Sequence, residues 1–178
     1  GVLENSFFSR VLGRGKPLLN RMTIAISATF TAEPVEGSLL FWLRRLGLPG
    51  QVRFAPYNQV LAQLLDSQSL LAQNRDGVNA LLVRIQDWLR FESRTSGPAR
   101  AVSPEALQKL EQIARELVGA CRASAERLPT PLVICFCPSS DGTDMILEGL
   151  FHDIETRLAA ELERLSGVYP VTSAALAA

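Results

Sequence analysis

Short apolar runs alternate with amphipathic stretches along most of this chain, and this alternation restricts its fold more than any other feature of the sequence. The runs have the length and apolar content of strands that are buried on both faces of a sheet. Between them, apolar residues recur every three or four positions, as in amphipathic helices. The pattern therefore predicts a doubly wound α/β fold with a mostly parallel sheet of about five strands and helices on both faces. The predicted strands are 22–30, 51–55, 78–85, 131–137 and 168–171.

The chain divides into a short N-terminal arm and one domain. A length of 178 residues is enough for a single core, and residues 22–178 carry the alternating pattern. Residues 1–21 contain four basic residues and one acid, and glycines and a proline interrupt any long helix there. We interpret this segment as a linker or docking arm. Its apolar residues recur at helical spacing: Phe7, Phe8, Val11 and Leu12.

Composition excludes several classes of protein. Eighteen Lys and Arg balance eighteen Asp and Glu, which is not the composition of a general nucleic-acid binder. Three cysteines do not form a disulfide framework and fit a reducing compartment. The apolar runs are too short to span a bilayer, and the start of the chain has no signal-peptide pattern. We therefore expect a cytoplasmic protein with no membrane and no nucleic-acid partner.

Ser27 is the candidate nucleophile, because it lies near the end of the first predicted strand. A serine needs a base that titrates near neutrality, and His152 is the only histidine of the chain. The helical pattern places His152 on the solvated side of its helix. A Ser-His-Asp relay is therefore not expected from these residues alone.

Metal and cofactor sites are not expected either. Cys135 and Cys137 lie two positions apart in a strand, but no further cysteine pair or second histidine completes a metal site. Core packing explains both thiols. The chain has no GxGxxG motif after its first strand and no GxxxxGK[ST] motif, so no nucleotide cofactor is expected.

A group of polar and aromatic residues follows the first three predicted strands. Parallel α/β sheets bind ligands outside the carboxyl ends of their strands, so these side chains are candidates for lining a pocket. Structural roles compete with that interpretation: Asn58 could cap a helix, Trp88 could close the core, and Asp87 could pair with Arg84 or Arg90. The candidate binding residues are Thr29, Tyr57, Asn58, Gln59, Gln86, Asp87, Trp88 and Arg90.

Charge is distributed unevenly despite the zero total. Residues 141–166 hold seven acids and two arginines, whereas the arm is basic. A solvated helix face accounts for the acidic run. The basic arm could instead meet an acidic partner, and acyl carrier proteins are acidic.

Three segments of the chain carry a recognisable pattern: Ile26 to Pro34, Phe54 to Val60 and Leu82 to Leu89, with Leu132 to Pro138 in support. Together they resemble the N-terminal domain of FkbH-like proteins of polyketide and nonribosomal peptide assembly lines. The resemblance covers the chain from about Met22 onward and implies an accessory domain with an SGNH-hydrolase type of α/β fold. In that family, catalysis is attributed to a following haloacid-dehalogenase-like domain with a DxDx[TV] signature, which this chain lacks.

The SGNH comparison places Ser27 near the usual nucleophile position, but the closing Asp-x-x-His block has no counterpart in residues 171–178. The resemblance therefore implies a non-catalytic or pseudo-hydrolase module that recognises an acyl or peptidyl carrier protein or a neighbouring synthase domain in glyceryl-loading biosynthesis. The alternative is a serine esterase or acyltransferase that acts on a carrier-bound acyl group with Ser27. A purely architectural spacer is a third interpretation.

Overall fold

A computed structural model describes residues 22–90, 103–140 and 143–176, so the predicted arm lies outside the described residues. Every strand predicted from an apolar run is present. The predicted carboxyl ends of β1 and β3 extended two residues too far, because these strands end before Thr29 and Arg84. The strands are Met22–Ala28 (β1), Gly50–Phe54 (β2), Gly77–Val83 (β3), Leu132–Phe136 (β4) and Val168–Val171 (β5).

All neighbouring strands pair in parallel, in the order β2-β1-β3-β4-β5. The predicted doubly wound architecture is thus confirmed. This order means that the chain leaves β1 toward one edge of the sheet and continues from β3 toward the other. The interior strand β1 pairs Ile24 with Val52 of β2 on one side and with Val78 of β3 on the other.

In the described ranges, six α-helices connect or follow the strands, and a 3₁₀ helix over Ile85–Leu89 follows β3. None of the helices in the described ranges is long and apolar enough to cross a membrane. The α-helices are Glu36–Arg45 (α1), Val60–Leu65 (α2), Leu70–Gln73 (α3), Pro104–Ala125 (α4), Met145–Leu162 (α5) and Ser173–Leu176 (α6).

The sheet separates two apolar cores. On one face, β1, β3, β4 and β5 pack under α2 to α5, around side chains such as Leu81, Ile134 and Phe136. On the other face, α1 packs over β1 and β2, against Ile26 and Val52. Helices on both faces satisfy the requirement that a parallel sheet be covered on both sides.

Helix starts follow side-chain caps. The Ser103 hydroxyl accepts the Ala106 N–H and starts α4 as predicted, with Pro104 in the first turn. The start of α5 differs from expectation, because the cap is Asp144 rather than Thr143 or Asp141, the latter lying outside the described residues. Thr143 instead donates to the Ser140 carbonyl at 2.7 Å.

The polar stretch after α2 contains the short helix α3, which the apolar periodicity did not indicate. Ser69 caps it by accepting the Ala72 N–H at 3.1 Å. A carbonyl of α3 bonds to a buried side chain of the sheet. Asn79, fully buried in β3, donates to the Leu71 carbonyl at 3.0 Å and accepts from the Asn74 side chain at 3.0 Å. The polar residues of this stretch therefore satisfy one another inside the protein.

Gly77 permits the close approach of β3 to β1, and we expect Gly77→Ala to destabilise the domain by more than about 3 kcal/mol. Gly77 has φ +126°, and a Cβ there would lie 2.2 Å from the Thr23 carbonyl oxygen. The control is Gly119→Ala in α4, where an added Cβ meets nothing within 4 Å. This substitution should stabilise the domain by about 0.5–1 kcal/mol, because alanine favours a helix more than glycine does. Urea unfolding followed by circular dichroism measures both changes, and equal effects would contradict the backbone argument.

Candidate functional site

A cleft of about 540 Å³ opens at the carboxyl ends of β1 and β3. Because the chain leaves these two strands in opposite directions, the connecting segments diverge and a crevice is left between them. The cleft lies between α2, α4 and the 3₁₀ helix, and its size is that of small-molecule pockets. The lining residues are Thr29, Asn58, Gln59, Val60, Leu61, Ala62, Val83, Asp87, Trp88, Lys109, Ile113 and Leu117.

A hydrogen bond between Thr29 and Asp87 joins the two strand ends. Thr29 Oγ1 donates to Asp87 Oδ2 at 2.9 Å and accepts the Arg84 N–H at 3.0 Å. The Thr29 N–H donates to the Leu82 carbonyl, so its backbone still follows β3. Thr29 is thus bonded through both its backbone and its side chain, and it fixes where β3 turns into the 3₁₀ helix.

Two arginines hold the Asp87 carboxylate. Oδ1 accepts from Arg84 Nε at 3.1 Å, from Arg84 Nη2 at 2.9 Å and from Arg90 Nη2 at 2.8 Å. The Asp87 side chain is 7% exposed, whereas those of Arg84 and Arg90 are partly exposed. The pairing predicted as an alternative, with one arginine or the other, thus occurs with both. The two oxygens of Asp87 are thus engaged by four donors, and hydrogen bonds from charged donors of this kind are short and strong.

The arginines are themselves held by aromatic rings. The Arg84 guanidinium lies 5.0 Å from the Phe30 ring centroid, and that of Arg90 lies 5.5 Å from the Tyr57 centroid. Such cation-π contacts keep both charges near the strand ends. Arg90 and exposed Tyr57 do not line the cleft, and we place them at its rim because Arg90 bonds to the lining residue Asp87.

Asn58 connects the second strand to the same site. Its N–H donates to the Ala28 carbonyl at 3.1 Å, and its φ of 53° is the left-handed conformation that asparagine tolerates better than most residues. The predicted capping alternative is wrong, because Gln59 is the residue that precedes α2 and no side chain caps this helix. The amides of Asn58 and Gln59 instead lie exposed at the cleft.

The remaining wall is apolar. Half-buried Trp88 packs against the core and also lines the cleft. The two predicted positions, at the core and in a pocket, are therefore compatible for this side chain. Leu61 from α2 and Ile113 and Leu117 from α4 face it, and Lys109 places a positive charge there. The sequence analysis missed the α4 residues, because their periodic spacing marks them as core and nothing in the sequence says that the stripe extends to a cleft.

Gln86 belongs to a different contact. Its Oε1 accepts from the Ser140 N–H at 2.9 Å and from the Ser140 hydroxyl at 2.8 Å, while its Nε2 donates to Thr143 at 3.1 Å. Gln86 therefore fastens the segment between β4 and α5, and it does not line the cleft. Of the predicted binding residues, the structure brings Thr29, Asn58, Gln59, Asp87 and Trp88 into the cleft, with Tyr57 and Arg90 beside them.

Ser27 lies inside the sheet, two residues before Thr29. It is 1% exposed, and within the described part of the chain its Oγ has no hydrogen-bond partner. It does not line the cleft. His152 is exposed on α5 and lines a separate pocket near Cys137, Glu148 and Glu155. The structure therefore places the His152 imidazole in a different pocket from the cleft at the end of β1.

The three thiols are suppressed as nucleophiles by burial. Burial raises the pKa of Cys121 to about 12 and that of Cys137 to about 11, and it raises the pKa of Cys135 as well. Nearby negative charge adds to the effect at Cys137, against the opposing influence of Arg84. Among the described residues, no three histidine, cysteine or carboxylate side chains are grouped as a metal ion requires.

The comparisons with known proteins establish the fold. No family model matches the chain, and no curated protein matches it. Among solved structures, the N-terminal part of the protein BF1531 from Bacteroides fragilis, containing a phosphatase domain and complexed with Mg, superimposes with a TM-score of 0.65 at 15% identity. The match covers 89% of this chain and 42% of that one, so the chain spans less than half of that structure. This likeness shows a shared α/β fold and gives no support to an SGNH-hydrolase type of arrangement.

Asp87→Ala is expected to lower the free energy of unfolding by about 2 kcal/mol, because it leaves Arg84 and the Thr29 hydroxyl without their acceptor. The control is Arg90→Gln, which removes one partly exposed partner and should cost less than about 1 kcal/mol. Urea unfolding measures both. An Asp87→Ala loss no larger than that of Arg90→Gln would contradict the central position of the carboxylate.

The thiols are expected to resist a disulfide reagent such as DTNB in the folded protein at pH 8 and to react at once in urea. Because folding raises their pKa values, the folded state retains protons that the unfolded state releases above about pH 8.5. Stability should therefore fall as pH rises from about 8.5 through the folded pKa of about 11 for Cys137. Reaction of Cys137 at the rate of a free cysteine in native protein would contradict this.

Proposed function

We propose that this chain is a non-catalytic accessory module of FkbH-like proteins, which binds an acidic acyl or peptidyl carrier protein at the cleft between β1 and β3. The observation that carries the proposal is the fixed cluster in which Asp87 is held by Arg84, Arg90 and Thr29. It positions charge at the strand ends without leaving a base free. A site of this kind is suited to recognition.

Charge at the cleft favours an acidic partner. Arg84 and Arg90 pair with the Asp87 carboxylate and are held by aromatic contacts, and Lys109 also lines the cleft. A pre-positioned cationic rim speeds association with an anionic surface and favours its orientation. Acidic carrier proteins are partners of this kind.

The interior of the cleft suits the prosthetic arm that a carrier presents. An acylated pantetheine arm combines amide groups with an apolar acyl chain. The cleft offers the amides of Asn58 and Gln59 near its mouth and an apolar wall that includes Trp88, Leu61 and Ile113. Mostly apolar pockets with a few polar groups bind ligands of such mixed character.

Two lines of argument connect this module to FkbH-like proteins. The first is the resemblance of the segments around β1, β2 and β3, which contribute Thr29, Asn58 and Asp87 to the cleft. The second is the fold shared with part of a protein that contains a phosphatase domain. FkbH-like proteins are likewise expected to combine an accessory domain with a haloacid-dehalogenase-like domain.

An esterase or acyltransferase that uses Ser27 is the alternative. Its specific support is the Ser27 hydroxyl, which has no hydrogen-bond partner among the described residues at the end of β1. Transfer would require the hydroxyl to become accessible and a base to take its proton. The alternative predicts an acyl group attached to the domain, whereas recognition predicts none.

The test is native mass spectrometry of the domain with its acylated holo-carrier protein. We expect a non-covalent complex with the thioester intact, weakened about tenfold or more by Trp88→Ala and by Arg90→Glu. The matched control is Arg75→Glu, which reverses an exposed arginine just before β3, at the opposite edge of the sheet from the cleft.

Each outcome decides between the two functions. If Arg90→Glu, Trp88→Ala and Arg75→Glu bind the carrier protein with equal affinity, the cleft does not bind the carrier. An acyl mass on the domain, or a cleaved thioester, that disappears in Ser27→Ala would make the domain an enzyme. Thermal unfolding of each variant establishes that a lost complex is not a lost fold.

A further inference from the structure

The outer side of α1 carries an apolar patch that the core does not use. Phe41 is 56% exposed, Trp42 57% and Leu46 52%. The two aromatic rings pack edge to face, with centroids 5.5 Å apart. Leu39, Leu40 and Leu43 on the inner side already provide the contact of α1 with the sheet. Adjacent exposed aromatic residues of this size mark an interaction surface. We call Phe41, Trp42 and Leu46 the α1 patch.

The α1 patch is bordered by positive charge. Arg44 and Arg45 are exposed in the last turn of α1, and residues 37–46 contain no acid. Pairing two copies of the α1 patch with each other would therefore bring like charges together. The complementary surface must be a groove that carries negative charge.

A groove of this description lies on the outer surface of α5. It has a volume of about 630 Å³, and Leu150 contributes its apolar part. Asp153 lines it and is exposed, as is His152, and Arg157, which also lines it, is paired with Glu111 of α4. The sequence over residues 143–166 has six acids against two arginines. We call this surface the α5 groove.

We propose that the α1 patch of one copy binds the α5 groove of a second copy of this chain. Phe41 and Trp42 would fill the groove, and Arg45 would face Asp153. This inference is independent of the carrier-binding proposal, because neither surface lines the cleft. The patch and the groove lie on opposite faces of the sheet. The contact is therefore heterologous and joins copies head to tail.

The size of the contact sets its strength. Stable interfaces bury roughly 800 Å² per partner. A contact built from one exposed helix face and a shallow groove is smaller, so we expect association that grows with protein concentration rather than a permanent oligomer. Trp and Arg are the residue types that most often dominate such contacts.

The test is complementation between two variants that each lose one surface. Trp42→Ser removes the patch and keeps the groove, whereas Asp153→Arg repels Arg45 and keeps the patch. We expect wild-type mass to increase with concentration in light scattering coupled to size exclusion, and each variant alone to remain monomeric. Their equimolar mixture should form a one-to-one dimer, because each copy supplies the surface that the other lacks.

Leu65→Ser is the matched control, since Leu65 is also 57% exposed but lies at the end of α2, away from both surfaces. It should associate as the wild type does. Three results would overturn the proposal: a wild type that is monomeric at every concentration, a mixture that stays monomeric, or an Asp153→Arg variant that still self-associates. The last of these would point to contact between two α1 patches.

Discussion

The pairing of β1 with β3, locked at its carboxyl end by the bond from Thr29 to Asp87, is the interaction on which the other features of this domain depend. These two strands are adjacent in the sheet but send the chain in opposite directions, so the segments that leave them must diverge. The cleft follows from that divergence. Its charged floor follows from the short 3₁₀ helix, which brings Asp87 back over Thr29 and places Arg84 and Arg90 on either side of it.

Internal satisfaction of polar groups is the second constraint. Asp87 at β3 and Glu155 beneath the end of β5 are both buried carboxylates, and each is held by donors: Glu155 accepts the Ser173 N–H at 2.7 Å and the Ser173 hydroxyl at 2.8 Å. A buried carboxylate without donors would be costly, so these contacts stabilise the two turns that they close. Both turns at this edge of the sheet are therefore held by carboxylates whose oxygens accept hydrogen bonds from their neighbours.

Sequence reasoning predicted the elements well, because burial on both faces of a parallel sheet requires continuous apolar runs, and Ser103 followed by Pro104 is a local signal for a helix start. It also brought Thr29, Asn58 and Asp87 to one edge of the sheet, since the carboxyl ends of parallel strands share that edge. It could not predict the contact of Gln86 with Ser140, which lies 54 positions away. Nor could it distinguish Ile113, which lines the cleft, from the core residues of the apolar stripe of α4. Periodicity predicts which face of a helix is apolar, but not whether that face contacts the core or a cleft.

Ser27 is the candidate nucleophile of the sequence, and its place within β1 sets it apart from the cleft. Its position near the end of β1 follows from the same apolar run that builds the strand. Ser27 pairs with Leu81 of β3 inside the sheet, and the cleft begins only two residues further on, at Thr29. Thr29, two residues further on, lines the cleft although it is only 3% exposed, and its hydroxyl donates to Asp87 and accepts the Arg84 N–H. The hydroxyl at the cleft is therefore bonded, whereas the Ser27 hydroxyl, which has no partner among the described residues, does not line the cleft.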